Sequence, residues 1–331
     1  EISTRDWSSD VCSSDLPSAP CATWRLTFPN MNKRSQIYVL VIAALLAVVI
    51  GWYGYSFWLD SVTPDPFNGE RALADVQTQV SFGPRTPGSE GHAQVQAWIV
   101  SELEAAGWIV EIQSSERMGH PVENIVARRD DEAPQILLGA HYDTRFFADN
   151  DPAPKNHDQP VPGANDGASG VAVLLEMARA LPKESVSTWL VFFDTEDNGR
   201  IDGWNWILGS RAFVQQNPNL ALRAVVIVDM VGDADLNLYK ERNSTPAIRD
   251  EIWAVAADLG YGNVFIDQEK YSMEDDHTPF LEAGLPAVDI IDFDYPYWHT
   301  VEDTPDKVSA ASLQAVGATL LEWIAQQNRQ R

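Results

Sequence analysis

The sequence predicts a single α/β domain built on a mainly parallel central sheet flanked by helices, and three observations predict it. Short apolar runs at about 135–140, 188–194, 224–229 and 285–291 alternate with longer amphipathic stretches. These runs are rich in Val, Ile, Leu and Phe with little polar alternation, the pattern of strands buried on both faces. Three of them end directly in ionisable residues: 136–143 in His141 and Asp143, 191–197 in Glu196 and Asp197, and 225–229 in Asp229. Open α/β sheets bind ligands outside the carboxyl ends of their strands, so His, Glu and Asp delivered there describe a metal pocket.

Before that domain come two segments of different character. Residues 1–30 carry no periodic apolar pattern, and R-D-W-S-S-D-V-C-S-S-D-L at 5–16 resembles a translated sequencing adapter. They are expected to be a leader foreign to the native protein, which then starts at Met31. Cys12 and Cys21 both lie in that leader, so the remainder offers no disulfide, thiol ligand or thiol nucleophile. Residues 31–60 form a second module, in which Lys33 and Arg34 precede 23 residues, 37–59, without a formal charge. That length spans a bilayer. With cations before it and Asp60 and Asp65 after it, the positive-inside rule keeps the short N-terminus cytoplasmic and puts the catalytic domain outside, in the periplasm or at the cell surface. A cleaved signal peptide is the competing reading, but the stretch is longer than an ordinary signal core and lacks a small-x-small cleavage site.

From 65 to 331 the chain reads as one domain. Amphipathic helices are expected at 72–80 and 92–106, separated by the turn-rich G-P-R-T-P-G-S of 83–89. Strands follow at 108–113, 122–128 and 135–140, helices at 169–181, 247–259 and 309–326, and strands at 188–194, 224–229 and 285–291. Residues 145–164 break the alternation as a long Pro- and Asp-rich loop, expected to form a pocket rim, with an ordinary surface insertion as the alternative. A further helix is expected to begin near 274–280, where capping by Asp276 is the plain alternative, or companion, to a functional role. Hydrophobic residues at 45% and 12 Trp supply a sizeable core, and a net charge of −25 excludes nucleic acid and anionic membrane surfaces as partners.

A catalytic zinc takes His nitrogen and carboxylate oxygen from three protein ligands and keeps one position open. Asp166, Asp197 and His299 can fill that role. Asp166 sits in N-D-G just ahead of a helix, where a tight turn can aim its carboxylate inward, although such a tripeptide alone is more often a plain turn or cap. Glu196, beside Asp197 at a strand end, can stand next to the metal without ligating it, as a general acid/base must. His299 lies near Asp303 and Asp306, so that one ring nitrogen can face a metal while an acceptor orients the other.

H-Y-D at 141–143, N-D-G-A-S-G at 165–170, E-D at 196–197, V-D-M-V-G at 228–232, D-D-H-T-P-F at 275–280 and W-H-T at 298–300 together resemble the zinc-dependent M28 metallopeptidase family. The resemblance covers about 70–328, and it implies the phosphorylase/hydrolase-like fold of the zinc aminopeptidases. Within the family the chain is more similar to the glutaminyl-peptide cyclotransferases, the bacterial glutaminyl cyclases above all. The doubled Asp275-Asp276 before His277, Trp298 directly before His299, and the A-D-N-D-P and W-I-L-G-S segments at 148–152 and 206–210 carry that likeness.

What the resemblance implies is an acyltransferase that converts the N-terminal Gln of peptides and proteins to pyroglutamate with release of ammonia. One zinc would be held by Asp166, Asp197 and His299, with Glu196 as proton shuttle. Asp275 and Asp229 would form a hydrogen-bonded network orienting Glu196. Trp298 and either Trp204 or Trp206 would line the pocket. Asp197 stands where many M28 relatives carry Glu, a departure that bacterial cyclases share. The rival reading is an aminopeptidase in which His141 and Asp229 hold a second metal, with Asp166 as bridge. A third, an inactive binding ectodomain, is disfavoured because every candidate ligand and the base are present.

Overall fold

In the computed structural model, which describes residues 33–62 and 67–329, the chain divides into two units, Glu1–Thr63 and Pro64–Arg331. The described part of the first is a helix, α1 (Lys33–Val62), with Ile37, Leu40, Leu45 and Val48 exposed. It covers the stretch expected to span a bilayer, but among the described residues no helix is long and apolar enough to cross a membrane. The expected foreign leader, with both cysteines, lies outside the described residues.

The second unit runs α2 (Gly69–Ser81), α3 (Glu90–Ala105), β1 (Ile109–Arg117), β2 (His120–Arg128), β3 (Ile136–His141), α4 (Ala168–Ala180), β4 (Thr188–Phe193), α5 (Leu208–Gln216), β5 (Ala224–Asp229), β6 (Leu238–Lys240), α6 (Pro246–Asp258), β7 (Phe265–Glu269), α7 (Thr278–Glu282), β8 (Ala287–Ile291) and α8 (Ala310–Arg329). Its main sheet has the order β1-β2-β4-β3-β5-β8, and β6 and β7 pair separately. The stretch β4-β3-β5-β8 is parallel, as the apolar runs predict.

Alternation along the central strands explains why helices cover both faces. Ile136, Leu138 and Ala140 of β3 and Val226 and Val228 of β5 pack with Val76 of α2, Val173 of α4 and Leu320 of α8. Leu137, Val225 and Ile227, pointing the other way, pack with Phe213 of α5 and Phe280 of α7. Each Val, Leu, Ile or Phe among them taken out of water contributes about 1.5–3 kcal/mol, so these strands form the rigid floor under their own carboxyl ends.

The other edge departs from parallel pairing. β1 and β2 run longer than expected and form an antiparallel hairpin, closed by Met118 and Gly119 with φ of 53° and 86°. Positive φ at both turn residues matches the twist of a two-residue hairpin. β2 then pairs antiparallel with β4. α5 and the short β6 and β7 were not expected.

Candidate active site

The ionisable residues named at the strand ends meet beyond β3, β4 and β5. β3 ends in His141, and Asp143 follows. After β4 the chain turns at Thr195, with φ 54°, into Glu196 and Asp197, and after β5 it turns at Met230, with φ 46°, beyond Asp229. His299 itself has φ 56°. Left-handed backbone at residues other than glycine is strained, and its concentration here shows that packing dictates these turns. Asp166 is presented by the turn before α4, where Gly167 has φ 72° and an added Cβ would come within 2.8 Å of the His141 ring.

Two buried carboxylates fasten the turns. Asp143 accepts the backbone N–H groups of Glu196 at 2.9 Å and Asp197 at 3.3 Å. Asp303 accepts those of Asn165 at 2.8 Å and Asp166 at 3.1 Å, and the Tyr295 hydroxyl at 2.6 Å. These roles escape sequence reading, because the partners are amides from distant segments. Asp303 therefore does not orient His299, and Asp306 is exposed beside Lys307. The acceptor facing His299 Nδ1 is Asp149, at 3.6 Å.

Two groups of buried side chains could each hold a metal, and Asp166 belongs to both. His299 Nε2 lies 2.8 Å from Asp197 Oδ1 and 3.6 Å from Asp166 Oδ2. His141 Nε2 lies 3.1 Å from both Asp166 Oδ1 and Asp229 Oδ1. Asp166 Oδ2 and Asp197 Oδ2 are buried and have no hydrogen-bond partner among the described residues. Unpaired buried carboxylate oxygens call for a cation, and this mixture of imidazole nitrogen and carboxylate oxygen suits zinc.

Electrostatics divide the acids. Burial pushes the Glu196 carboxyl well above the usual range against the His141 charge, and Asp197, Asp275 and Asp276 push it further. Burial, with the charges of Asp166 and Asp229 respectively, raises Asp197 and Asp275 to about 6 each. Asp229 is raised as well, burial outweighing His141. Asp166 goes the other way: burial would raise it, but the hydrogen bond and charge of His141, with His299 and Arg145, hold it below the ordinary range. Among the described residues no hydrogen bond joins the Glu196 carboxyl to Asp229 or Asp275, so the expected orienting network is here a coupling of charges.

A cavity of about 290 Å³ opens over these groups, lined by Asp166, Glu196, Asp197, Asp229 and Asp275 and walled by Trp206, Trp298 and Phe293. Trp206 stacks at 5.9 Å on His299, and Trp298 lies 3.9 Å from it, centroid to centroid. Trp204 does not line this cavity. It stacks on His120 at 3.6 Å and packs against Val122, Leu208 and Ala212, so Trp206 is the tryptophan of the pair that faces the site. The expected rim loop at 145–164 also supplies no lining residue. It folds behind the site, where Arg145 is buried and grips Asp149, so the loop supports His299 from outside.

Comparison with known proteins agrees with this geometry. The model of peptidase family M28 matches residues 124–324. The structure superposes on Bacteroides thetaiotaomicron glutaminyl cyclase with a TM-score of 0.74 at 35% identity, covering 79% of this chain and 98% of that one. A leucine aminopeptidase precursor from the same organism gives a TM-score of 0.74 at 34% identity, covering 80% and 99%. The glutaminyl-peptide cyclotransferase of Boiga irregularis is 27% identical over 290 residues, 72% of this chain and 76% of the relative. With a family match over more than half its length, on a sheet whose strand ends gather two candidate metal groups around Asp166, the chain belongs to peptidase family M28.

Proposed function

We propose that this protein is a glutaminyl-peptide cyclotransferase, converting the N-terminal glutamine of peptides to pyroglutamate and releasing ammonia. The observation that carries the reading is the pair of tryptophans, Trp206 and Trp298, bracketing His299 above a floor that contains Glu196 and Asp275. Aromatic walls suit a small neutral side chain and keep water from a reaction in which water would hydrolyse. The likeness to bacterial and vertebrate glutaminyl cyclases supports the same conclusion.

In this reading Asp166, Asp197 and His299 hold one zinc, which supplies Lewis-acid polarisation of the glutamine γ-carbonyl when bound. The α-amine attacks the carbon of the side-chain carboxamide (Cδ), a C–N bond closes the five-membered ring, and the bond from that carbon to the amide nitrogen breaks. Glu196 takes the proton from the attacking amine and returns it to the departing ammonia. A carboxyl raised by burial can hold that proton between the two transfers near neutral pH. The negative charge of Asp275, itself coupled to Asp229, strengthens the hold.

The second group, His141 with Asp166 and Asp229, favours an aminopeptidase as the alternative, with a second metal bound there. The purified full chain given a Gln-initiated peptide should release ammonia and leave a Leu-initiated peptide intact. Cleavage of the Leu peptide without ammonia would overturn the cyclase reading in favour of hydrolysis. We further propose that residues 37–59 anchor the protein with its catalytic unit outside the cytoplasm, on the strength of the sequence alone, 23 uncharged residues with cations before them and acids after. Release of the chain from membranes by alkaline carbonate would refute this anchor.

A further inference from the structure

One lining residue of the cavity has no part in the chemistry above. Arg200 is exposed at its rim, is the sole cation among the described lining residues, and joins no ion pair among the described residues. The rim acid Glu274 is turned to Arg211, at 3.4 Å.

The backbone under Arg200 is fastened from several sides. Asn198 donates to Asp143 at 3.2 Å and accepts from the Phe146 N–H at 3.0 Å. The Gly199 carbonyl accepts from Arg145 at 3.1 Å, and a Cβ on Gly199 would run into the Trp206 ring at 2.1 Å. Arg145 in turn lies over the Trp206 ring, 5.0 Å from its centroid. Only a glycine at 199 lets the chain lie flat on this wall of the pocket. The next residue, Arg200, then emerges beside that wall with φ 61°, a left-handed conformation that a side chain tolerates at a cost. A strained, rigidly held turn thus presents an unpaired guanidinium beside the tryptophan wall. With a glutamine set over the buried acids of the floor, the first substrate group beyond it would lie beside Arg200.

We propose that Arg200 determines specificity for the residue after the N-terminal glutamine, favouring a carboxylate there, carried on an acidic side chain or as the free carboxyl end of a short peptide. This rests on the cyclotransferase reading. A guanidinium pairs with carboxylate through charge-assisted, often bidentate hydrogen bonds and repels a cationic residue at the same position. The overall charge of −25 acts against acidic peptides at long range, but salt screens it beyond about 8 Å at physiological ionic strength, whereas contact at the rim is screened far less.

The test compares kcat/KM, from ammonia release by the full chain, on Gln-Glu-amide, Gln-Lys-amide, Gln-Gly-amide and Gln-Gly with a free carboxyl end. Gln-Glu-amide should exceed Gln-Lys-amide on the order of fivefold, the scale of a rim charge pair gained against one repelled. Gln-Gly should exceed its amide in the same direction. The Glu-to-Lys ratio should collapse toward one in R200Q, reverse in R200E and persist in R200K. Equal rates on all four peptides, or a preference that survives R200Q, overturn the inference and leave the cyclotransferase reading standing. No ammonia from any of them overturns both.

Discussion

Glu196 is prepared for proton work by its surroundings, since its carboxyl is buried among Asp197, Asp275 and Asp276 while its backbone is held by Asp143. Replacing it with Gln keeps shape and removes the titrating group. E196Q should lose about 10²–10⁴-fold in kcat while its zinc content, measured by elemental analysis, stays at the wild-type level. Wild-type turnover in E196Q would remove Glu196 from its role. Asp303 acts at one remove, through the N–H groups that set the Asp166 turn. In D303N an amide replaces one acceptor, and metal affinity measured by chelator competition should fall about 10–100-fold. Unchanged affinity would mean that Gly167 and the start of α4 position Asp166 unaided. At this scale most residues of the two candidate metal groups were legible, because His141, Asp197 and Asp229 end or follow apolar strands and Asp166 stands in a turn motif. The choice between Trp204 and Trp206 was not, because two residues apart in a loop they face different neighbours, His120 and His299, that only the fold brings near.

Helices and strands are joined near the site by a second buried pair. His92, in the first turn of α3, bonds Asp194 at the end of β4 at 2.7 Å, and Asp194 also accepts the Glu123 N–H of β2 at 2.8 Å. Burial alone would lower His92, but the hydrogen bond and charge of Asp194, with Asp143 and Glu123, raise it above its ordinary 6.5. Asp194, mainly through burial, is raised too. Both shifts mean that the native state binds more protons than the unfolded chain, so this pair's contribution to stability falls as pH rises. The His92 part is fully present below about 6.5 and is lost as pH climbs through its raised native value. Urea unfolding followed across that window should show a shallower decline in H92Q than in the wild type; parallel curves would contradict the assignment. Long periodic elements such as α3, α4 and α8 were legible from apolar spacing. α5 was not: it is short, begins after Ile207 with φ 56°, and has no capping side chain to announce it. The hairpin turn hid for a similar reason, since Met118 at positive φ is no turn signal.

For the whole molecule, six acids lining one cavity in a chain of net charge −25 make a cation part of the stability balance. A metal that binds only the native state stabilises it by about 2.7 kcal/mol at a hundred times its dissociation constant. Chelation should therefore lower the melting temperature, and added zinc should restore it; an unchanged melting temperature would argue against occupancy of the Asp166, Asp197 and His299 group. The sequence by itself determined the α/β class, the parallel strands and the set of residues at their ends, because burial on both faces writes an unbroken apolar run and a metal site demands particular side chains. Only the tertiary structure decided which acids hold the turns, which tryptophan walls the cavity, and that the loop at 145–164 supports His299 from behind. Those outcomes depend on contacts between segments far apart in the chain, and local residue patterns carry no record of which distant amide or ring a side chain will meet.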